Sequence, residues 1–201
     1  MESKYYLTHV TTEENCQNIV KTNNFNISKH TKDSIQWLGD GIYFWSANDK
    51  DAINIGKKLV KGKKENKSKN TKNISIKFSI DEERHMNLES DRWETKFISY
   101  ARKIYPDDDT LLRILEANKQ QANLSTRELN EVGKIFGDCI NSFLNVLDVK
   151  FKIKIDLVSH YFYHKRKMSK LFGREELCYR QFCIKDPRIV NDISSEKWDI
   201  E

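Results

Sequence analysis

Trp37-Leu38-Gly39-Asp40-Gly41-Ile42-Tyr43-Phe44-Trp45 follows the polar run from Lys29 to Gln36 and is the stretch from which the fold is read. Two glycines within three residues let the backbone turn tightly or lie against a ligand, and Ile-Tyr-Phe-Trp has the β-branched and aromatic content of a strand. Alternation puts Tyr43 and Trp45 on one face of that strand and Ile42 and Phe44 on the other. One face is expected to join the core. The other either completes the core as well or presents an aromatic ring, beside a glycine-lined backbone, to a flat heteroaromatic ligand carrying an amide.

Upstream, Tyr5-Tyr6-Leu7-Thr8-His9-Val10-Thr11-Thr12 is β-rich and ends in His-x-Thr. Thr11 or Thr12 can cap a helix through Glu13–Val20, with both glutamates at its positive end, and the helix is expected to fade at Lys21-Thr22-Asn23-Asn24. Phe25 and Ile27 then anchor a loop that passes His30 and reaches Trp37. Downstream, Ser46-Ala47-Asn48-Asp49 reads as the cap of a second helix carrying Ala52, Ile53, Ile55 and Leu59. Residues 57–72 hold eight lysines and one glutamate, so this one polar segment carries more than the chain's whole net charge of +5 and the rest is slightly acidic. It is read as a mobile basic loop, with phosphate tracking on a nucleic acid as the alternative.

Ile74-Ser75-Ile76-Lys77-Phe78-Ser79-Ile80 alternates as a half-buried strand does. About 94–147 the spacing turns helical: Phe97, Ile98, Ala101 and Ile104, then Leu111, Leu112, Ile114 and Leu115 after a Pro106-Asp107-Asp108-Asp109 cap. A last helix starts at the capping box Ser125-x-x-Glu128 and carries Leu129, Val132, Ile135, Phe136, Ile140, Phe143 and Leu144. This block is read as a helical insertion. Lys152–Val158 alternates again, Val158–His164 continues as an aromatic strand, and Leu177–Ile184 with Arg188–Val190 completes the sheet. Strands at both ends with helices between them make an α+β fold.

The 201 residues are expected to form a single domain, 1–201. No stretch approaches the roughly 18 apolar residues of a membrane span, and the first residues carry no apolar signal core, so a soluble, cytoplasmic protein without a membrane partner is expected. Cys16, Cys139, Cys178 and Cys183 have neither zinc-site spacing nor the density of a disulfide scaffold, and are read as reduced thiols. His160 and His164 lack accompanying acidic or thiol ligands, so no metal is expected.

In their order along the chain, the His-ended strand, the helix, the turn at Phe25, Gly39-Asp40-Gly41-Ile42-Tyr43-Phe44 and the run Tyr179–Ile189 resemble the ADP-ribosyltransferases of the poly(ADP-ribose) polymerase type. The resemblance implies an ADP-ribosyltransferase-like split β-sheet core, with NAD as co-substrate in a cleft between two small sheets. It places His9 against a ribose hydroxyl and the main chain of Val10 on the nicotinamide amide, where family members usually have glycine. Tyr43 corresponds to the tyrosine that stacks on nicotinamide, beside Gly41. Ile55 stands where a second aromatic commonly closes the ring's other face. Thr11, Ser28 and Asn48 fall near the cleft. Gln181 takes the third signature position, where many active members carry glutamate; glutamine keeps the hydrogen bonding and loses the charge. Glu175 or Glu176 is an alternative carboxylate.

The resemblance further implies single transfer of ADP-ribose to a macromolecular acceptor, nucleic acid or protein, in the manner of a toxin or phage-defence enzyme with a neutralising antitoxin. NAD glycohydrolysis and a catalytically silent nucleic-acid-binding module on the same fold are the alternatives. His164-Lys165-Arg166-Lys167, with Lys170 and Arg174, forms a second basic stretch that suits an RNA, DNA or other phosphate-rich partner.

Overall fold

A computed structural model of the chain describes residues 1–63, 66–106, 126–167, 174–190 and 192–194. Strand β1 (Glu2–Thr12) runs directly into helix α1 (Glu13–Thr22) because Thr12 keeps an extended backbone and its side chain accepts from Asn15 N at 3.3 Å. Glu13 and Glu14 occupy the first turn, and Asn23 ends the helix in the left-handed region at φ 49°. Strand β2 (Ile42–Ser46) leads to α2 (Lys50–Gly62), where Asp49 accepts from Ala52 N at 2.8 Å. Strand β3 (Thr71–Asp81) pairs antiparallel with β1 along its whole length. There follow β4 (His85–Asn87), α3 (Asp91–Ile104), α4 (Thr126–Phe151), β5 (Leu157–Lys167), β6 (Arg174–Ile184) and β7 (Asp192–Ser194).

The strands form one seven-stranded mixed sheet, ordered β4-β5-β6-β2-β1-β3-β7, in which only β4 and β5 run parallel. The fold is α+β. Its sheet is continuous, but β1 and β2 are joined at only two positions, Leu7 with Ser46 and Thr8 with Trp45. β6 continues the pairing on the far side of β2, and β3 does so on the far side of β1. The sheet is therefore thinnest at its centre.

The faces divide as alternation requires. Ile42 and Phe44 pack with Leu7, Phe25, Ile74, Ile76 and Phe182 on the α1 side. On the other face Tyr43 lies against the cluster built by α3 and α4, including Phe97, Phe136, Ile140 and Phe162, while Trp45 packs with Val10, Ala52 and Ile53 beneath α2. Cys16, Cys139 and Cys183 are free and buried. Among the described residues, no helix is long and apolar enough to cross a membrane.

Three local expectations change. Arg188–Val190 is not a strand: Asp186 accepts from Arg188 N and starts a 3-10 turn over Pro187–Ile189, and Asp192–Ser194 is the strand that pairs with β3. The lysine segment is not one loop: Lys57, Lys58 and Lys61 belong to α2, whose apolar positions Ile53, Ile55 and Gly56 carry the helix onward, and Lys72 lies in β3. Residues 152–156 are not a strand. Lys152 has φ 56°, Ile153 N bonds Leu147 O, and Asp156 turns inward to ion pairs with Arg84 and Lys154, so the alternation there records loop anchors. The Asp107–Asp109 cap, the helix through Leu111–Leu115, Ser125 of the capping box, Lys170 and Gly173 lie outside the described residues, as do the side chains of His164, Glu175, Glu176 and Cys178.

Candidate functional site

The opening between β1 and β2 is made by a histidine that takes a backbone partner's place. Ala47 N donates to Tyr6 O at 3.1 Å, and Thr8 then pairs with Trp45. Two residues further, the ladder would bring Val10 opposite Tyr43. There His9 Nδ1 lies 2.8 Å from the Tyr43 carbonyl instead. A carbonyl only accepts, so Nδ1 carries the proton. Burial holds the imidazole pKa below its ordinary value, against the opposing effect of the Tyr43 bond, so the ring is neutral near pH 7 and its Nε2 is an acceptor. Phe25 and Phe44 hold the ring, each with centroids 5.4 Å from it.

This displacement leaves main-chain groups facing the opening. The N–H and C=O of alternate residues in a strand point to the same side, so those of Val10, like those of Tyr6 and Thr8, point from β1 toward β2. The Val10 side chain points elsewhere. It is 3% exposed and packs with Trp45, Ala52 and Ile53, and a Cβ on Gly56 would sit 3.1 Å from its Cγ2. Gly56 thus provides the room that lets valine stand at this position. Val10 lines, together with His9, Thr11 and Ser28, a cleft of about 490 Å³ walled by α1 and the end of α2. Its other polar walls include Asn15, Asn18, Asn26 and Lys63, donors and acceptors suited to a hydroxyl-rich, phosphate-bearing ligand.

The glycine turn beside the cleft is fixed from three directions. Ser28 and Gly41 exchange backbone bonds, Ser28 N to Gly41 O at 2.9 Å and Gly41 N to Ser28 O at 3.0 Å. The Asp40 carboxylate accepts from His30 N, Lys29 Nζ and Asn141 Nδ2, and these donors outweigh its burial to hold its pKa below the usual value. Asn141 Oδ1 in turn accepts from Asp40 N at 2.8 Å. Finally, Lys185 Nζ donates to the carbonyls of Leu38 and Asp40. Gly39 has φ 72°, and a Cβ there would overlap Asn141; a Cβ on Gly41 would overlap Cys183 Sγ and lie 2.7 Å from Ile184 O. Gly41→Ala is therefore expected to cost about 2 kcal/mol, read as a melting temperature lower by about 4–8 °C.

Tyr43 is held by the same turn. Its hydroxyl donates to Gly39 O at 2.7 Å and accepts from Leu38 N at 3.0 Å, and burial, with Cys183 and Asp40 nearby, pushes the phenol well above its ordinary pKa. Its ring lies on the α4 side of the sheet, whereas His9 lies on the α1 side; the two meet through the Tyr43 carbonyl. Gln181 is half-buried and paired between Trp45 on β2 and His160 on β5, so it shares their face. His160 Nδ1 lies 2.6 Å from Glu89 Oε1. Ile55 is 5% exposed, inside the fold, and Asn48 lines a different cavity.

The structure thus gathers His9, Val10, Thr11, Ser28 and Gly41 around one opening, with the Tyr43 backbone at its edge, and sets the Gln181 side chain on the opposite face. Sequence reading missed Asn141 and Lys185. Each reaches the turn from more than 100 residues away, which no local pattern signals. Compared with known proteins, the chain matches no family model, no curated protein and no solved structure.

Proposed function

We propose that this chain is an NAD-dependent mono-ADP-ribosyltransferase of the poly(ADP-ribose) polymerase-like type, releasing nicotinamide and passing ADP-ribose to a macromolecular acceptor. The observation that carries the reading is the substitution of the His9 imidazole for a backbone donor at the Tyr43 carbonyl. It opens the sheet where the ordered sequence motifs require NAD, and leaves the Val10 N–H and C=O directed into the gap. A carboxamide has the complementary acceptor and donor. The His9 Nε2 lone pair suits a ribose hydroxyl, and the asparagine-rich cleft with Lys63 suits the remainder of a dinucleotide.

In the reaction, the glycosidic bond between nicotinamide and ribose breaks, the bonding pair leaves with nicotinamide, and the sugar passes through an oxocarbenium-like state. An acceptor nucleophile then attacks the ribose C1 and loses its proton. Main-chain bonds orient the leaving group, and His9 holds the ribose. The third signature position, Gln181, supplies no carboxylate and faces away from the opening, which favours a single slow transfer over chain elongation. A toxin or phage-defence role, with an antitoxin partner, follows from analogy with toxin-type members of the family.

The test is incubation with NAD labelled in the adenylate half and separate pools of RNA, DNA and protein, following released nicotinamide and transferred label. Label entering one pool supports the transferase and identifies its acceptor class. Nicotinamide release without transfer favours the glycohydrolase, and intact, unbound NAD sinks the enzyme reading.

A further inference from the structure

A second cavity, of about 600 Å³, lies at the other end of α2 from the His9 cleft, lined by Ser46, Asn48, Lys50, Tyr161, Arg180 and Phe182 among others. Since α2 has 13 residues, about 20 Å of helix separates the two.

The chemistry of this cavity differs from that of the cleft. The Arg180 guanidinium stands over both aromatic rings, 5.4 Å from the Tyr161 centroid and 5.2 Å from that of Phe182. One of its nitrogens, Nη2, donates to the buried Ser159 Oγ at 2.9 Å, which fixes its plane, while its Nε is buried without a hydrogen-bond partner. Among the described residues no carboxylate forms an ion pair with Arg180 or with Lys50. Asp49, which also borders the cavity, is engaged by Ala52 N. Asp51 is the other carboxylate there, and it is exposed. Tyr161 remains 38% exposed, a large ring left open to solvent beside these two cations, and its N–H donates to Glu89 Oε1 at 3.0 Å, a carboxylate that also feels the Arg180 charge.

We infer that this cavity binds a nucleotide unit of single-stranded nucleic acid, its base stacked on Tyr161 and its phosphate held by Arg180 and Lys50. An exposed aromatic next to cations is what single strands use, since every base offers a π-face and every link a phosphate. A duplex, with its bases already stacked, cannot use the ring. Asp51 suits an exocyclic base amine. The site is separate from the NAD cleft and its occupation requires no turnover. Where the transferase reading holds, a strand bound here is its natural acceptor.

The test is fluorescence anisotropy of labelled oligouridylate, oligothymidylate and a duplex of equal length, with no NAD present. Binding of either single strand in preference to the duplex is expected, weakened about tenfold or more by Tyr161→Ala and retained within about twofold by Tyr161→Phe. Lys50→Glu, on the surface and outside the core, is expected to weaken binding and flatten its salt dependence. Failure of any oligonucleotide to bind, equal affinity for the duplex, or unchanged binding in Tyr161→Ala and Lys50→Glu would overturn the inference. So would displacement of the bound strand by NAD, which would make the two cavities one site. Because the assay contains no turnover step, a protein inactive on NAD still supports or overturns strand binding by the same outcomes.

Discussion

Replacing His9 with alanine is expected to lower nicotinamide release from NAD by about 100-fold or more, the scale of losing one preorganised polar group at a reacting centre. Two effects combine. The variant loses the Nε2 acceptor, and it frees the Tyr43 carbonyl to pair with Val10 N–H, which would zip β1 to β2 and close the gap. His9→Asn separates them. Its side-chain amide can still donate to the Tyr43 carbonyl and keep the strands apart, but it offers nothing in place of Nε2. A comparably large loss in His9→Asn, with unfolding by denaturant unchanged, assigns the effect to the ribose contact. Recovery of most of the activity in His9→Asn would show that the imidazole serves only as a wedge.

A second large effect is expected in the dependence of stability on pH. His85 bonds Tyr5 Oη through Nδ1 at 2.7 Å and Ser159 Oγ through Nε2 at 2.8 Å, on a network that also receives Arg180. Burial, reinforced by the Arg180 charge, lowers its pKa from 6.5 to about 4. The unfolded chain therefore takes up a proton as the pH falls below 6.5, while the folded chain does not until about 4. Stability is fully present above 6.5 and is lost through that window, by about 3 kcal/mol. His9, whose pKa is also lowered, contributes with the same sign. Urea midpoints measured from pH 7 to pH 4.5 should fall accordingly, and His85→Gln should flatten the decline. An equal slope in that variant would remove His85 as its source.

Local chemistry made much of this legible. Thr12 and Asp49 as caps, Asn23 as a left-handed stop, and the opposed faces of Ile42/Phe44 and Tyr43/Trp45 follow from residue type and period. The gathering of His9, Val10, Thr11 and Ser28 was legible too, because the strand and the loop that carry them both abut the glycine turn. What failed shares one cause. Residues 152–156 alternate because Ile153, Ile155 and Asp156 anchor to separate neighbours, and period alone cannot tell an anchored loop from a strand. Short β4 has only three residues and is defined by its parallel partner β5. Which groups the Tyr43 hydroxyl binds, Leu38 N and Gly39 O, is likewise decided by the turn's geometry.

Lys185 bears on when the protein acquires its site during synthesis. The turn at Leu38–Gly41 belongs to the first quarter of the chain, yet two of its carbonyls are held by an ammonium that the ribosome adds 145 or more residues later. A nascent chain that has completed β1, α1 and β2 still lacks the clamp, the β6 partner of β2 and the Asn141 brace. If the proposed activity harms its own cell, the fold itself delays it: His9 and Tyr43 are translated early, but Gln181 arrives only with β6, and the turn is braced only once Lys185 behind it has docked.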